Sequence, residues 1–240
     1  MTRVAIVRGV PDSFADALVM GERPSIDVGR AREQHAAYTR FLADNGYHLH
    51  LIPADEDHPD CSFVEDAAVA LDSVAVATRP GAAVRRGEVD AVAAVVESVR
   101  SLRRILEPGT LDGGDVLRMG ETLYVGLSRR TNRDGIDQLS AIAATDGLRT
   151  VAVPVDGVLH LKSAVARLDD ETVLLAPGCV DQATFGDYRI IEKAVGEEHR
   201  ASVLVLGTGA TAMTTTAPQT LGRLREAGYE PVLIDTTEFQ

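Results

Sequence analysis

Apolar and polar positions recur in a fixed order along this chain. Four segments carry β-branched or other apolar residues on both sides of an Asp, Gly or Ser cluster, which is the pattern of a β-hairpin. These hairpin segments are 66–80, 115–128, 163–176 and 202–216. Helical periodicity follows at 85–101, 132–145 and 218–227, with 180–194 as the candidate helix of the third unit. Apolar strands at 150–155 and 231–236 end two of the units, so the predicted repeat is hairpin, helix, strand.

The N-terminal segment shows the same unit with one strand fewer. Residues 3–8 have the pattern of a strand, 30–45 that of an amphipathic helix, and 48–53 that of a second strand. A C-terminal segment that paired with Val4–Val7 would complete this unit and close a ring, so we predict a final strand beyond Gln240. The alternative is an open sheet of four and a half units, which is less favourable because an exposed strand edge invites aggregation.

Polar residues with useful chemistry fall at the junction between the closing strand of one unit and the next hairpin. Three junctions carry them: Asp60, Glu65 and Asp66, then Asp112 and Asp115, then His160. The intervals from Asp60 to Asp112 and from Asp112 to His160 are 52 and 48 residues, close to one unit each. Equivalent junctions of a closed ring meet at its axis, so these side chains should face one cavity. Such a cavity suits a cation, because a buried positive charge needs hydrogen-bond acceptors.

A purely structural interpretation competes with this one at each residue. The segment 112–115 is Asp-Gly-Gly-Asp, and most Asp-Gly pairs are only turns. His160 lies between two leucines and would by itself be read as a half-buried histidine with satisfied polar atoms. The shared position of these residues within the repeat favours a functional role.

Composition narrows the class of protein. The chain has 240 residues with 45% apolar and 4% aromatic residues and no Trp, which predicts one domain, residues 1–240, with an aliphatic core. A net charge of −12 argues against a nucleic-acid partner and is compatible with a cationic small molecule. Two cysteines, Cys61 and Cys179, exclude a disulfide framework. Signal-peptide and membrane-helix patterns are absent from the sequence, so we expect a soluble, cytoplasmic protein without membrane contact.

Five sequence blocks resemble the dimethylarginine dimethylaminohydrolase family of the guanidine-modifying, or pentein, superfamily. The blocks are PADEDHPDCSFVEDAAV (53–69), RPGAAVRRGEVD (79–90), TLDGGDVL (110–117), VGLSRRTNRDG (125–135) and VPVDGVLHLKS (153–163). They occur in order and are specific together, although any one alone would be weak. The resemblance implies the pentein fold, a five-bladed pseudosymmetric α/β propeller of ββαβ modules. It also implies hydrolysis of Nω-methylated arginines to citrulline and a methylamine, without a cofactor.

The resemblance implies a catalytic pair. His160 matches the general acid/base of the family, and Asp112 matches the carboxylate that orients this histidine. These residue types are needed because a guanidinium carbon, with its charge spread over three nitrogens, is a poor electrophile. Attack calls for a cysteine thiolate, and a histidine can protonate the leaving amine and then activate water. A carboxylate beside the histidine holds its tautomer.

The resemblance also implies a substrate-binding set. Residues that hold the guanidinium and the amine of the substrate match Asp60, Glu65 and Asp66. Arg85 and Arg130 match residues around the α-carboxylate, for which a planar guanidinium fork is well suited. Leu18 matches a lid residue whose backbone touches the substrate, with Val19 as the alternative register. The long connection 9–29 that contains it has a length typical of a lid.

One part of the family pattern is not matched. The nucleophilic cysteine of the family lies in the C-terminal strand, and the run TTEFQ (236–240) resembles the segment that precedes it. Cys61 lies inside the first acidic block and Cys179 follows the third hairpin, so neither occupies the junction position. The repeat and the resemblance both predict the nucleophile within about ten residues after Gln240. Ser202, where family members often carry Asn, is a second departure.

The sequence is compatible with three functions. The first is a cysteine hydrolase of methylated arginine, and the second is a hydrolase of arginine or another guanidine. The third is a guanidine-binding protein without a nucleophile, against which the retained His160 and Asp112 argue. We expect no metal, because no His/Cys pair has the spacing of zinc ligands. The sequence does not define the oligomeric state and allows a homodimer.

Overall fold

Five small β-sheets form the framework of the protein. The computed structural model describes residues 3–19 and 25–240. In the first sheet, β1 (Arg3–Arg8) runs parallel to β2 (Tyr47–Ile52). Each of the other four sheets consists of an antiparallel hairpin followed by a parallel closing strand. Their strands are β3 (Ala68–Ala70), β4 (Val74–Ala77) and β5 (Ser101–Arg104); β6 (Val116–Met119), β7 (Thr122–Leu127) and β8 (Arg149–Pro154); β9 (Val165–Arg167), β10 (Thr172–Leu175) and β11 (Arg189–Glu192); and β12 (Val203–Val205), β13 (Thr211–Thr214) and β14 (Val232–Ile234).

The α-helices within the described part of the chain are α1 (Val28–Asp44), α2 (Val89–Val99), α3 (Arg133–Ala143), α4 (Leu161–Ala164) and α5 (Pro218–Glu226). Local sequence sets where several of them begin. The Asp27 side chain accepts from an N–H at the start of α1, and Asn132 does the same for α3. α5 begins with Pro218, whose missing N–H costs nothing at that position. Among the described residues, no helix combines the length and apolarity needed to cross a membrane.

The core closes the five modules into a ring. It includes five apolar clusters that each join two successive modules. A sixth cluster packs the 3₁₀ turn Asp12–Asp16 against α1. Representative partners around the ring are Ile52 with Ala75, Val76 with Leu123, Leu117 with Leu175, Leu174 with Met213, and Ala212 with Val7. Because the last of these pairs joins the fifth module to the first, the predicted five-bladed α/β propeller is confirmed.

Two details of the predicted repeat are wrong. The segment 180–194 is not a helix: it contains a 3₁₀ turn, Gln182–Phe185, followed by the closing strand β11. Ile190 and Ile191 favour this outcome because β-branched residues pack well in a strand, and β11 pairs along β10. The predicted helix 85–101 is shorter than expected, since α2 ends at Val99 and Ser101 opens β5.

The first sheet has two described strands where the others have three, as the repeat predicts. Within the described residues, β1 pairs with β2 alone. The other edge of β1, including Val4 to Val7, lines an apolar groove of about 940 Å³ that also reaches β12 and His160. An extended segment could therefore pair with β1 along this groove.

Candidate active site

His160 lies immediately before α4, a helix of a single turn, and its side chain is buried. One oxygen of Asp115 lies 3.5 Å from Nδ1 of the imidazole. The other oxygen accepts the backbone N–H of Leu161 at 2.8 Å. The hydroxyl groups of Ser128 and Thr131 each donate to Asp115 at 2.7 Å. Asp115 therefore holds both the imidazole ring and the turn that carries it.

The other nitrogen of the ring faces two carboxylates. Nε2 lies 3.6 Å from Asp66 Oδ1 and 3.9 Å from Asp112 Oδ2. It is buried and makes no hydrogen bond to the described residues. Because a buried polar atom without a partner is unfavourable, its position points to a group that binds there and exchanges a proton with the imidazole.

The structure corrects the position predicted for Asp112. Asp112 was expected to orient His160, but Asp115 occupies that place on Nδ1. Asp112 instead accepts the N–H of Gly81 at 2.8 Å and lies 3.4 Å from Arg130 Nη1. The reason is the 3₁₀ turn Gly113–Asp115, which separates the two aspartates of the Asp-Gly-Gly-Asp motif so that each faces a different ring nitrogen.

The two glycines of this motif are required by close approach of neighbouring groups. A Cβ atom on Gly113 would lie 2.0 Å from the carbonyl oxygen of Glu65. A Cβ atom on Gly114 would lie 2.8 Å from both Asp66 Oδ1 and the His160 ring. The N–H of Gly114 donates to Asp66 at 3.0 Å. Glycine at both positions thus allows three junctions of the ring to meet.

The two carboxylates beside Nε2 have pKa values shifted in opposite directions. Burial and the charge of Asp66 raise the pKa of Asp112 to about 6. Burial opposes ionisation of Asp66, but His160, Arg85 and the N–H of Gly114 lower its pKa overall. Pairs of titratable groups separated in this way are typical of acid–base sites.

The pKa of His160 is raised. Burial favours the neutral imidazole, but the hydrogen bond to Asp115 and the charges of Asp66, Asp115 and Asp112 outweigh it. The imidazolium form therefore persists to higher pH than in a free histidine, which suits a group that must deliver a proton.

Arg85 lies deeper than its predicted role at the substrate carboxylate implies. Its side chain is buried, and Nη1 donates to Asp66 at 2.6 Å. Nη2 donates to Glu88 at 2.9 Å and Nε lies 3.2 Å from both oxygens of that residue. Glu88 is itself buried, and burial raises its pKa. Within the described contacts, Arg85 neutralises Asp66 and Glu88.

Glu88 was not predicted as a site residue, but the structure places its buried carboxylate against Arg85. The available signal was the Arg-Arg-Gly-Glu run, in which Arg85 and Glu88 are three residues apart. Residues with this spacing meet on one side of a helical turn, and the segment Ala83–Glu88 forms a 3₁₀ turn.

Asp60 and Leu18 lie together at the edge of the site. Both oxygens of the buried Asp60 carboxylate lie 3.2 Å from the backbone nitrogen of Leu18, which donates to them. Burial raises the pKa of Asp60, although this N–H and the charges of Arg85 and Arg130 oppose the shift. The Leu18 side chain is exposed. Part of the predicted lid, residues 20–24, lies outside the described residues.

Glu65 is the most exposed of the predicted site residues with a charge. Its carboxylate forms an ion pair with Lys162 at 2.7 Å, joining the junction of the second module to that of the fourth. Its side chain also lines the groove beside Asp66 and His160.

Both cysteines pack away from the imidazole. Cys61 is buried, with Sγ 3.8 Å from Gly9 O and 3.7 Å from Asp55 O. Cys179 belongs to the apolar cluster between the third and fourth modules. Burial raises the pKa of both thiols, which disfavours the reactive thiolate.

Asp66, Asp112 and His160 each offer a ligand atom within 4.8 Å of the others, which is the minimum geometry for a metal ion. Two of the three have other partners: Asp66 pairs with Arg85, and Asp112 accepts from Gly81. A cationic guanidinium uses the same acceptors, so the donor set does not by itself require a metal.

We expect Arg85→Ala and Arg130→Ala to differ in effect. Losing Arg85 leaves Asp66 and Glu88 buried without their partner, which should lower the free energy of unfolding by about 3–5 kcal/mol. Losing the less buried Arg130 should mainly raise KM, because a fork contact to a carboxylate contributes about 1.5–3 kcal/mol. Chemical denaturation and steady-state kinetics separate the two. Arg129→Ala, at an exposed neighbouring position, is the control.

Equal KM values for Arg130→Ala and the unchanged protein would remove Arg130 from the substrate site. An Arg85→Ala protein of undiminished stability would contradict the buried role given to Arg85.

Comparison with known proteins agrees with the geometry. The arginine deiminase family model matches residues 94–217. The dimethylarginine dimethylaminohydrolase of Streptomyces coelicolor is 44% identical over 242 residues, which cover 100% of this chain and 92% of that protein. The corresponding enzyme of Pseudomonas aeruginosa, solved as a cysteine-to-serine variant with citrulline, is 34% identical and superposes with a TM-score of 0.94, over 100% of this chain and 94% of that one. A histidine-to-glycine dimethylarginine dimethylaminohydrolase, solved as an adduct with S-methyl-L-thiocitrulline, has the same identity, coverage and TM-score of 0.94.

The match extends across all five modules, and the buried histidine lies among carboxylates as the motifs predict. This chain belongs to the dimethylarginine dimethylaminohydrolase family.

Proposed function

We propose that the protein hydrolyses Nω,Nω-dimethyl-L-arginine, and Nω-methyl-L-arginine, to L-citrulline and dimethylamine or methylamine. The main support for this proposal is the buried cluster of Asp66, Asp112 and His160, which come from three modules. Two relatives named dimethylarginine dimethylaminohydrolase, at 44% and 34% identity, support this activity. One of them has been solved with citrulline bound.

The carboxylates select a cation. His160, Arg85 and the N–H of Gly114 lower the pKa of Asp66 against the effect of burial, so this carboxylate presents negative charge to a guanidinium. Asp112 lies on the same side of the imidazole, where a bound cation would further favour its ionised form. Arg130 lies 3.4 Å from Asp112 and would receive the α-carboxylate at the other end of the substrate.

His160 moves the protons. A thiolate adds to the guanidinium carbon, and the C–N bond to dimethylamine breaks as Nε2 gives its proton to the leaving nitrogen. The neutral imidazole then takes a proton from water, which attacks the thiouronium carbon and releases citrulline and the thiolate. Asp115 stabilises the imidazolium that forms in the second step.

The thiolate in this mechanism comes from an extended segment beside β1. Every other sheet carries an antiparallel strand at the equivalent edge, and the groove along Val4–Val7 leads to His160. A cysteine on a strand in this groove would approach the Nε2 side of the imidazole. Cys61 and Cys179 are held elsewhere, so the proposal does not use them.

With a nucleophilic cysteine on a strand beside β1, the protein should release citrulline from asymmetric dimethylarginine without added cofactor, because its side chains then supply the whole mechanism. A form whose cysteines are Cys61 and Cys179 alone should show no turnover, since both thiols are buried away from His160. Citrulline formation measures turnover in each case. Mass spectrometry after reaction with a thiol-directed substrate analogue identifies the cysteine that is labelled. Activity lost on adding a chelator, or labelling at Cys61, would overturn this mechanism.

A second candidate is a deiminase of unmethylated arginine, which the arginine deiminase match over residues 94–217 favours. Comparing kcat/KM for arginine and for dimethylarginine decides between them. Binding of both compounds without turnover, by a protein that carries the nucleophilic cysteine, would instead identify a guanidine-binding protein.

The site draws residues from several modules, which supports one catalytic domain over residues 1–240. We also propose a cytoplasmic location, for which the net charge of −12 and the metabolite substrate are the support. A homodimer stays a prediction, and sedimentation of the purified protein would test it.

A further inference from the structure

Lys193 is a buried lysine that the mechanism does not use. It follows β11 and is 2% exposed. Its Nζ donates to the carbonyl oxygen of Ser163 at 2.6 Å and to that of Glu198 at 3.0 Å. None of the described carboxylates forms an ion pair with it. Because burying an ammonium is costly, burial lowers its pKa to about 8, although charge interactions with Cys179 and Glu198 oppose the shift.

One partner of Lys193 belongs to the turn that carries His160. Ser163 lies in α4, and its own N–H donates to the carbonyl oxygen of His160 at 3.0 Å. The last carbonyl groups of a helix have no partner within the helix, and a lysine often satisfies them. Lys193 does so here from the far end of the fourth module, 30 residues further along the chain.

A helix of one turn cannot hold its own position. Nucleating a helix is unfavourable, and α4 never extends beyond that first turn. Leu161 and Ala164 bury its apolar side fully, but such contacts are non-directional. Directional contacts to this turn are made by the Asp115 carboxylate on the N–H of Leu161, the Lys193 ammonium on the carbonyl of Ser163 and the Ala176 N–H on the carbonyl of Ala164. Lys193 makes the charged contact at the C-terminal end.

We propose that Lys193 is a positioning residue for His160: together with Asp115 it clamps α4 at both ends and keeps the imidazole against Asp115. This inference rests on the proposed function. Displacing a reacting group by about 1 Å can reduce turnover by about 10²-fold, so a clamp on this turn affects rate more than binding.

The test compares Lys193→Met with Glu197→Gln. Glu197 lies on the same loop, is also buried and accepts three hydrogen bonds from Gln219 and Thr220 at the start of α5. It therefore matches Lys193 in buried charge without contacting α4. Lys193→Met should lower kcat by about 10- to 100-fold with little change in KM, whereas Glu197→Gln should lower thermal stability and leave kcat per folded molecule unchanged.

A second measurement does not depend on turnover. The pKa of His160 can be followed by NMR of its ring C2–H, assigned with His160→Gln. Removing the Lys193 charge alone would raise this pKa, whereas loss of the Asp115 hydrogen bond lowers it. We expect a lower pKa in Lys193→Met, so the sign distinguishes displacement of the turn from a simple charge effect.

An unchanged or raised His160 pKa, or equal losses of kcat in both variants, would overturn the proposal. Should Lys193→Met fail to fold, Lys193→Gln, which keeps a donor on a shorter side chain, is measured in the same way. If the unchanged protein proves inactive toward dimethylarginine, the proposed function fails while the NMR comparison still decides the role of Lys193.

Discussion

We expect His160→Gln to lower kcat by about 10²–10⁴ while substrate binding stays nearly unchanged. In the proposed mechanism the imidazole supplies a proton to the leaving amine and takes one from water, and glutamine can do neither. Nε2 makes no hydrogen bond to the described residues and faces Asp66 and Asp112, where the proposed function places the substrate. Steady-state kinetics measure kcat, and equilibrium binding of the substrate to an inactive variant measures the substrate affinity.

Thermal stability measured beside kcat excludes the structural interpretation of this histidine. If His160 only filled the core, its replacement would lower the melting temperature and leave turnover per folded molecule unchanged. His199→Gln, at an exposed position, serves as the control for loss of a histidine. A loss of activity that merely follows the loss of stability would contradict the catalytic role of His160.

Asp115→Asn should lower kcat over a similar range, about 10²–10⁴, because the imidazole loses the acceptor that fixes its tautomer. The hydrogen bond to Asp115 raises the pKa of His160, so its loss should move the His160 limb of the pH–rate profile to lower pH. Part of the effect is structural, since Asp115 also accepts from Leu161, Ser128 and Thr131. The pH profile isolates the part that acts through the imidazole.

Double variants identify which carboxylate acts with His160. When two residues serve one proton transfer, the losses of kcat caused by replacing each of them are not additive in free energy. The double variant His160→Gln with Asp115→Asn should therefore have a kcat only slightly below that of the slower single variant. Asp112→Asn is the comparison, because Asp112 faces Nε2 at 3.9 Å, on the side of the ring where the guanidinium would bind. Losses that multiply for Asp115 but not for Asp112 would restore the orienting role that sequence resemblance assigned to Asp112.

The repeat was readable from the sequence because each hairpin is a local structure. In the hairpin of β6 and β7, apolar residues on both strands flank the turn at Gly120, whose φ of 56° favours glycine. Of the closing strands, β8 and β14 were predicted from their apolar runs, whereas β5 and β11 were not. β5 and β11 pair in parallel with strands that lie well before them in the chain, and no short-range pattern marks such a partner. A helix was therefore predicted where β11 lies.

The candidate site also has a part that the sequence predicts and a part that only the folded structure decides. By itself the sequence determined the number of modules and the polar residues at their junctions, since a repeated unit places equivalent residues at equivalent positions. It therefore predicted that Asp66, Asp112 and His160 would meet. Which ring nitrogen each carboxylate faces was decided only by the tertiary structure, because the 3₁₀ turn Gly113–Asp115 sets those directions. The same holds for Lys193, whose partner Ser163 lies 30 residues earlier in the chain and is chosen by packing rather than by spacing along the chain.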